Sequence, residues 1–374
     1  MLFEKSQIFN LDFSNISYNY FNFKQRLHIM IYFDMDQTEF MNRQRSRSHL
    51  VILGAGASIA AIPNGDKNGR KLSCMDNFFT ELNIEGLLSH CKLKTNSKNL
   101  EDIYSELEER PECEEIKNNL DAIIIEKFRK LLLPDHMTVY DYLIISLRNK
   151  DLIASFNWDP LLVQAYNRMS KLTRDLPDLV FLHGNICAGF CIDCKSYGHI
   201  ENVCQVCGKA LSPTRLLYPI KNKDYEKDPF IAEQWRRVKK WVKDSTIVTF
   251  FGYSAPKTDA AAIELLKNIY NDGPLHRFDR IEIIDIKEKK LLENTWEDFI
   301  NVEGAYNPIY LKSFYESILA EFPRRSIEGY SERYFNGWWG KGSNRILEKK
   351  QTIKEFHRQI KPILIKDLKD DFSL

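Results

Sequence analysis

Five short runs of apolar and β-branched residues recur along the chain, "HLVILGAG", "DLIASFN", "LVFLHG", "TIVTFFGYS" and "RIEIIDI", and most lead into sequence of helical period. Continuous apolar runs of this kind suit strands buried on both faces, as in a parallel sheet covered by helices. Strands alternating with helices restrict the architecture to an open α/β sheet, which binds its ligands beyond the carboxyl ends of the strands. Those ends are where chemistry-bearing side chains are to be sought.

The 374 residues suffice for one large domain with added modules or for two ordinary domains. Residues 1–48, aromatic and Asn-rich and ending in "RQRSRS", read as an N-terminal arm; Met30, Met35 and Met41 leave open a later natural start. Residues 49–300 carry the five strands and hold two insertions. The first, about 71–148, has high charge and a helical period that Pro111 breaks into at least two helices. The second is a cysteine-rich module at about 187–215, and residues 301–374 read as a helical C-terminal extension.

With 53 Lys and Arg against 52 Asp and Glu, the net charge of +1 provides no global field for nucleic acid or an anionic membrane. The basic run Arg43, Arg45, Arg47 is too short to read as a nucleic-acid patch. No run is long and apolar enough for a membrane span, and the N-terminus lacks the pattern of a secretory signal, so a soluble, cytoplasmic protein is expected.

Five of the eight cysteines fall between Cys187 and Cys207, whereas Cys74, Cys91 and Cys113 stand apart in helix-like sequence. Cys191-x2-Cys194 and Cys204-x2-Cys207 form two knuckles separated by nine residues, a spacing that brings four thiolates to one tetrahedral Zn²⁺, with Gly208 free to turn behind the second. Four cysteines close the coordination shell, so the expected metal is structural; Cys187 and His199 read as bystanders.

Gly54, Ala55, Gly56 and Ser58 form a corner between a strand and a helix start, suited either to a phosphate or to an ordinary tight turn; a third glycine of G-x-G-x-x-G would fall on Ile59. Asn157 closes the second run, followed by Asp159 and Pro160, which fit a helix cap and a first helical position. His183 and Gly184 close the third, and an imidazole there suits a general base near neutral pH. Gly252 and Ser254 make a second corner, where Thr258 or Asp259 would cap the next helix, and Asp285 ends the fifth run. A carboxylate at such a strand end can accept ribose hydroxyls or simply face water.

These motifs, in this order, resemble the sirtuin family, most closely the bacterial sirtuin-like branch of antiphage defence whose members destroy NAD⁺. The resemblance covers about 49–300 and implies a Rossmann-like fold with a small zinc ribbon. It implies that Gly54, Ala55, Gly56 and Ser58 border the pyrophosphate of NAD⁺, that Asn157 and Asp159 hold the nicotinamide ribose side, and that His183 is the base. Gly252 and Ser254 would touch phosphate or ribose, Asp285 would lie near the adenosine ribose, and Cys191, Cys194, Cys204 and Cys207 would hold zinc. A deacylating sirtuin continues from its first corner into Gly-Ile-Pro-Asp-Phe-Arg and has Gln-Asn at the second strand end. Here the residues are Ala61-Ile62-Pro63-Asn64-Gly65-Asp66 and Phe156-Asn157. The altered loop argues against acyl-lysine deacylation more than against NAD⁺ binding. The expected activity is NAD⁺ glycohydrolysis; the alternatives are a protein deacylase or ADP-ribosyltransferase, a non-catalytic NAD⁺ or ADP-ribose sensor, and a zinc-ribbon adaptor. The resemblance further implies a homo-oligomer and, as a second partner, a HerA-type ATPase.

Overall fold

The computed structural model describes residues 46–72, 85–88, 91, 93–95, 97, 100–217, 225, 227–253, 280–300, 308–336 and 351–369. In chain order the elements are β1 (Ser48–Leu53), α1 (Ala55–Ala61), α2 (Glu85–Leu88), α3 (Leu100–Glu108), α4 (Glu114–Arg129), α5 (Val139–Ile145), β2 (Leu152–Ser155), α6 (Leu161–Met169) and β3 (Asp178–Phe181). The small module supplies β4 (Ala188–Cys191), β5 (Ser196–His199) and β6 (Ser212–Pro213). There follow α7 (Pro229–Asp244), β7 (Ser245–Phe251), β8 (Arg280–Ile284), α8 (Lys289–Ile300), β9 (Ile309–Leu311), α9 (Ile318–Glu321), α10 (Ser326–Asn336) and α11 (Ile353–Asp367).

Six strands form one parallel sheet in the order β3-β2-β1-β7-β8-β9, the doubly wound arrangement whose direction of winding reverses between β1 and β7. All five apolar runs supply a strand. Every residue of β1, β2 and β7 is buried, as full coverage of both faces requires, while the edge strand β3 opens with an exposed Asp178.

Two parts of the chain depart from the expectations above. The region after 301 is not helical throughout: Ile309–Leu311 pairs with β8 as the sixth strand, three residues too few to leave a pattern. Within 71–148, Pro111 does break the helices, starting a short 3-10 turn between α3 and α4. The last helix of that stretch, α5, is nevertheless core: all seven of its residues are buried. Thr138 and Asp141 close a capping box at its start, and Arg168 of α6 grips Asp141 through Nε and Nη2, both 2.9 Å from the carboxylate oxygens. Cys91 and Cys113, expected only to stand apart, are joined by a disulfide.

The C-terminal helices are tied to the underside of the sheet by buried charges. Arg324, whose side chain is wholly buried, donates to the carbonyls of Leu147 (3.1 Å) and Asp175 (3.1 Å), to the Asp175 carboxylate (2.6 Å) and to Asp367 of α11. Arg325 Nη2 lies 2.8 Å from the same Asp367, and Arg148 donates to Glu328 at 2.5 Å. One carboxylate thus serves two guanidiniums that water cannot reach. Arg324 keeps the Asp175 carboxylate, so Asp367→Asn removes the shared charge-assisted bonds and is expected to lower stability by about 1.5–3 kcal/mol in urea unfolding; a loss below about 1 kcal/mol would mean that the pair contributes little.

His49, near the start of β1, is fully buried, with Nδ1 3.0 Å from Ser326 Oγ and Nε2 2.8 Å from Thr249 Oγ1. Burial, with the nearby charges of Arg280 and Lys150, pushes its pKa down from 6.5 to about 3. The unfolded chain therefore takes up a proton at a pH where the native state does not. This contribution to stability is complete above pH 6.5 and is lost as pH falls toward 3, by at most about 1.4 kcal/mol per pH unit. The buried acids beside it, Asp151 and Glu282, are pushed up by burial and act in the opposite sense, so the wild-type curve alone does not isolate His49. The stability difference between wild type and His49→Gln does: it should shrink as pH falls through this window, and a pH-independent difference would contradict the assignment.

Candidate functional site

At the carboxyl edge of the sheet the hydrogen-bond ladder runs one step past the strands. Phe156 N–H donates to Leu53 O (3.0 Å), Leu182 to Ser155 O (2.9 Å), Gly54 to Phe251 O (3.0 Å), Gly252 to Ile284 O (2.9 Å) and Asp285 to Leu311 O (3.0 Å). The residues singled out from sequence leave the sheet from this row. Asn157 and His183 each stand two residues beyond the paired Ser155 and Phe181, on neighbouring strands.

The corners after β1 and β7 interlock. Gly56 N–H donates to Gly252 O at 2.9 Å, and Gly252 adopts φ 61°, in the left-handed region. A Cβ on Gly252 would lie 2.2 Å from Ala57 N, and one on Gly54 would lie 2.6 Å from Gly252 O. Only glycine fits at either place. Ser254, Thr258 and Asp259 lie outside the described residues.

Below the corner is a buried polar cluster. Asn157 Nδ2 is within hydrogen-bond reach of Gly54 O (2.8 Å), Ser58 Oγ (2.9 Å) and Tyr140 Oη (3.1 Å). Ser58 donates to Asp159 Oδ2 at 2.6 Å, and the other Asp159 oxygen accepts the Leu161 N–H at 3.0 Å. Helix α6 thus begins at Leu161, with Pro160 as the cap residue rather than the first helical position, and Asp159 serves the first turn from one residue further back. Burial raises the Asp159 pKa, against the downward pull of the Ser58 and Leu161 bonds. Asn185 Nδ2 then ties the carbonyls of Asn157 (3.1 Å) and Asp159 (2.8 Å) together. Among the described residues nothing donates to Asn157 Oδ1; its amide group is fixed, and its carbonyl oxygen remains as an acceptor.

Tyr140 and Asn185 were not foreseen. Tyr140 comes from the all-buried helix α5, where it reads as one more core aromatic. Asn185 lies two residues past His183, four beyond the end of β3, and its signal in the sequence is only a second polar residue after that strand end.

His183 is set among rings. Its Nε2 is 3.4 Å from Tyr225 Oη, the Phe156 ring meets it edge-on at 4.7 Å between centroids, and Tyr253 stacks on Phe156 at 4.6 Å. Asn157, Asp159, His183, Phe156 and Tyr253 are all buried. Asp285 is half-buried at the end of β8, and one carboxylate oxygen accepts the Lys287 N–H at 2.8 Å. A groove of about 760 Å3 lies at the other, amino edge of the sheet, lined by Arg47, Lys150, Tyr197, Arg237 and Trp241 among others, away from this cluster.

In the small module the four paired cysteines converge, with all Sγ atoms within 4.8 Å of one another and Cys191 and Cys207 at 3.6 Å. Four thiolates about 2.3 Å from one zinc ion would stand at such separations, so the donor set fits a closed tetrahedral site. Both knuckles turn through the left-handed region just after their second cysteine, at Lys195 (φ 53°) and Gly208 (φ 73°). The Ser196 hydroxyl, 3.0 Å from Cys204 Sγ, helps draw that thiol down to about 6. Cys187 and His199 are not in the cluster.

No protein-family model and no curated protein matches the chain. Among solved structures it is similar to a Sir2 homologue in complex with ADP-ribose, at 14% identity over 80% of this chain and 98% of that one, with a TM-score of 0.39. A structure described as the structural basis of sirtuin substrate affinity matches at 13% identity over 81% and 100%, with a TM-score of 0.38. A Sir2 homolog–NAD complex matches at 14% identity over 71% and 95%, with a TM-score of 0.33. Among the described residues no helix is long and apolar enough to cross a membrane.

The cysteine cluster predicts about one zinc ion per chain by atomic absorption, because the four thiols offer one closed site. Cys204→Ser should lose that ion and lower the melting temperature, since binding such a metal is coupled to folding. Full stability and activity in a metal-free preparation would refute a structural metal.

Proposed function

We propose that the protein is an NAD⁺ glycohydrolase that cleaves NAD⁺ to nicotinamide and ADP-ribose and acts by NAD⁺ depletion in bacterial antiphage defence. The reading rests on the ordered motifs at the strand ends. The observation that carries it is Asn157: a buried amide, held by Gly54, Ser58 and Tyr140, with no donor to its Oδ1 among the described residues, at the end of β2, one strand from the place where the sheet reverses its winding.

In this mechanism Asn157 orients a ribose hydroxyl or the attacking water, and His183 takes a proton. The water oxygen bonds to C1′ of the nicotinamide ribose as the C1′–N bond breaks, nicotinamide leaves as a neutral pyridine, and the proton lost by water passes to the imidazole. Rigid placement lowers the barrier because the ribose develops oxocarbenium character only as the bond breaks. Gly54, Ala55, Gly56 and Ser58 would border the pyrophosphate, Gly252 and Ser254 would touch phosphate or ribose, Asp159 would stand on the nicotinamide ribose side, and Asp285 would lie near the adenosine ribose. Two of the corner N–H groups are already bonded to the β7 strand end and its corner, so a phosphate would meet the others. Self-assembly belongs to this reading, with a HerA-type ATPase as a further partner.

The test is to incubate purified protein with NAD⁺ and follow free nicotinamide, with and without an acyl-lysine peptide, DNA or a partner ATPase. Release without acyl-peptide is expected, and His183→Ala and Asn157→Ala should each reduce it by about 10²–10⁴-fold while zinc content holds, with the melting temperature kept by His183→Ala and lowered by Asn157→Ala, which strips bonds from the buried cluster. Turnover only with acyl-peptide would assign the site to deacylation. Binding without turnover in every arm would make the protein a sensor.

A further inference from the structure

We infer that the outer face of α4 is a self-association surface, on which two copies of this chain pack antiparallel about a two-fold axis passing between Ala122 and Ile123. The inner face of α4 is accounted for, since Leu120, Ile124 and Phe128 are buried in the core. The outer face presents Glu115, Asn119, Ala122, Ile123, Glu126 and Lys130, which follow one helical stripe and are all exposed. Ile123 is 37% exposed, and Leu132, just beyond the helix, is 44% exposed.

The order of residues along this stripe identifies the occupant. Glu114 and Glu115 stand in the first turn and Lys127 and Arg129 in the last, with the apolar pair at the midpoint. Charges of these signs also complement the helix's own dipole, but that effect places nothing apolar and exposed at the centre. Reversing the stripe about its midpoint sets Glu115 opposite Lys130 of a second copy, Asn119 opposite Glu126, and Ala122 opposite Ile123. Lys130 also reaches Glu126 of its own helix at 3.2 Å, so the second copy's Glu115 would join an existing pair. Such self-complementarity is what an isologous two-fold contact demands and what an unrelated partner does not.

The basic half of the face also has room for an incoming acidic turn. A hollow of about 870 Å3 lies there, its lining including Arg70, Ile123, Ile125, Lys127 and Arg129. An antiparallel second copy would bring Glu114 and Glu115 to this hollow, and two helices pack at about 8–10 Å between axes.

One helix pair is a small interface, so dissociation constants on the order of 10–100 µM are expected. The experiment is sedimentation velocity of the full chain from about 1 to about 300 µM, a range that brackets that affinity. Glu115→Lys and Lys130→Glu should each weaken association about tenfold, since each replaces two symmetric attractions by repulsions, and the double exchange should restore it to within a few-fold. Ile123→Lys should weaken it without any rescue. These sites are exposed, and circular dichroism checks that each variant is folded. A wild type that stays monomeric throughout overturns the inference, as do single variants that associate normally or a double exchange that fails to restore association. The readout is mass, so the outcome is independent of whether the strand-end site cleaves NAD⁺.

Discussion

The two glycine corners that follow β1 and β7 are the constraint on which the strand-end site depends. Their backbones approach so closely that Gly54 and Gly56 donate to Phe251 O and Gly252 O, and a methyl group on Gly252 would fall 2.2 Å from Ala57 N. Gly54 O, brought into place by this contact, also holds the Asn157 amide. The same contact uses N–H groups that would otherwise be open to a phosphate, so close packing of the corners accounts for these glycines before any ligand is considered.

The polar cluster beneath them is built to remain in one arrangement. Asn157, Ser58, Tyr140 and Asp159 constrain each other over a few ångströms, and Asn185 fixes the backbone that carries two of them. An unmade bond in such a dry place costs more than a made one gains, so the cluster favours a single geometry. Its acidic member is raised by burial. On the opposite edge of the sheet the ionic groups help to fasten the C-terminal helices, beside apolar contacts such as those of Phe356 and Ile360 of α11.

What could be read from the sequence follows from the range of the interactions involved. Strands β1, β2 and β7 were legible because burial on both faces writes an apolar run, and the zinc knuckles because their ligands are close together in the chain. Asn157 and His183 were legible as polar residues at the ends of such runs. Tyr140 was not, because a hydroxyl facing a site from an all-buried helix looks like any other core aromatic. Nor were β9, which is short and set by pairing, the Cys91–Cys113 link, or the meeting of Arg324 with Asp175 and Asp367, whose separations of 149 and 43 residues follow no period.

The placement of Asp367 bears on how the chain can be made. Synthesis is vectorial, and domains tend to fold as units while the ribosome works from the N-terminus. Here β1, β2, β3 and β7 emerge well before the carboxylate that Arg324 and Arg325 share. Until α11 is translated, the two guanidiniums lack the carboxylate they share, and the last turn of α11 then acts as the stitch that completes their pairing.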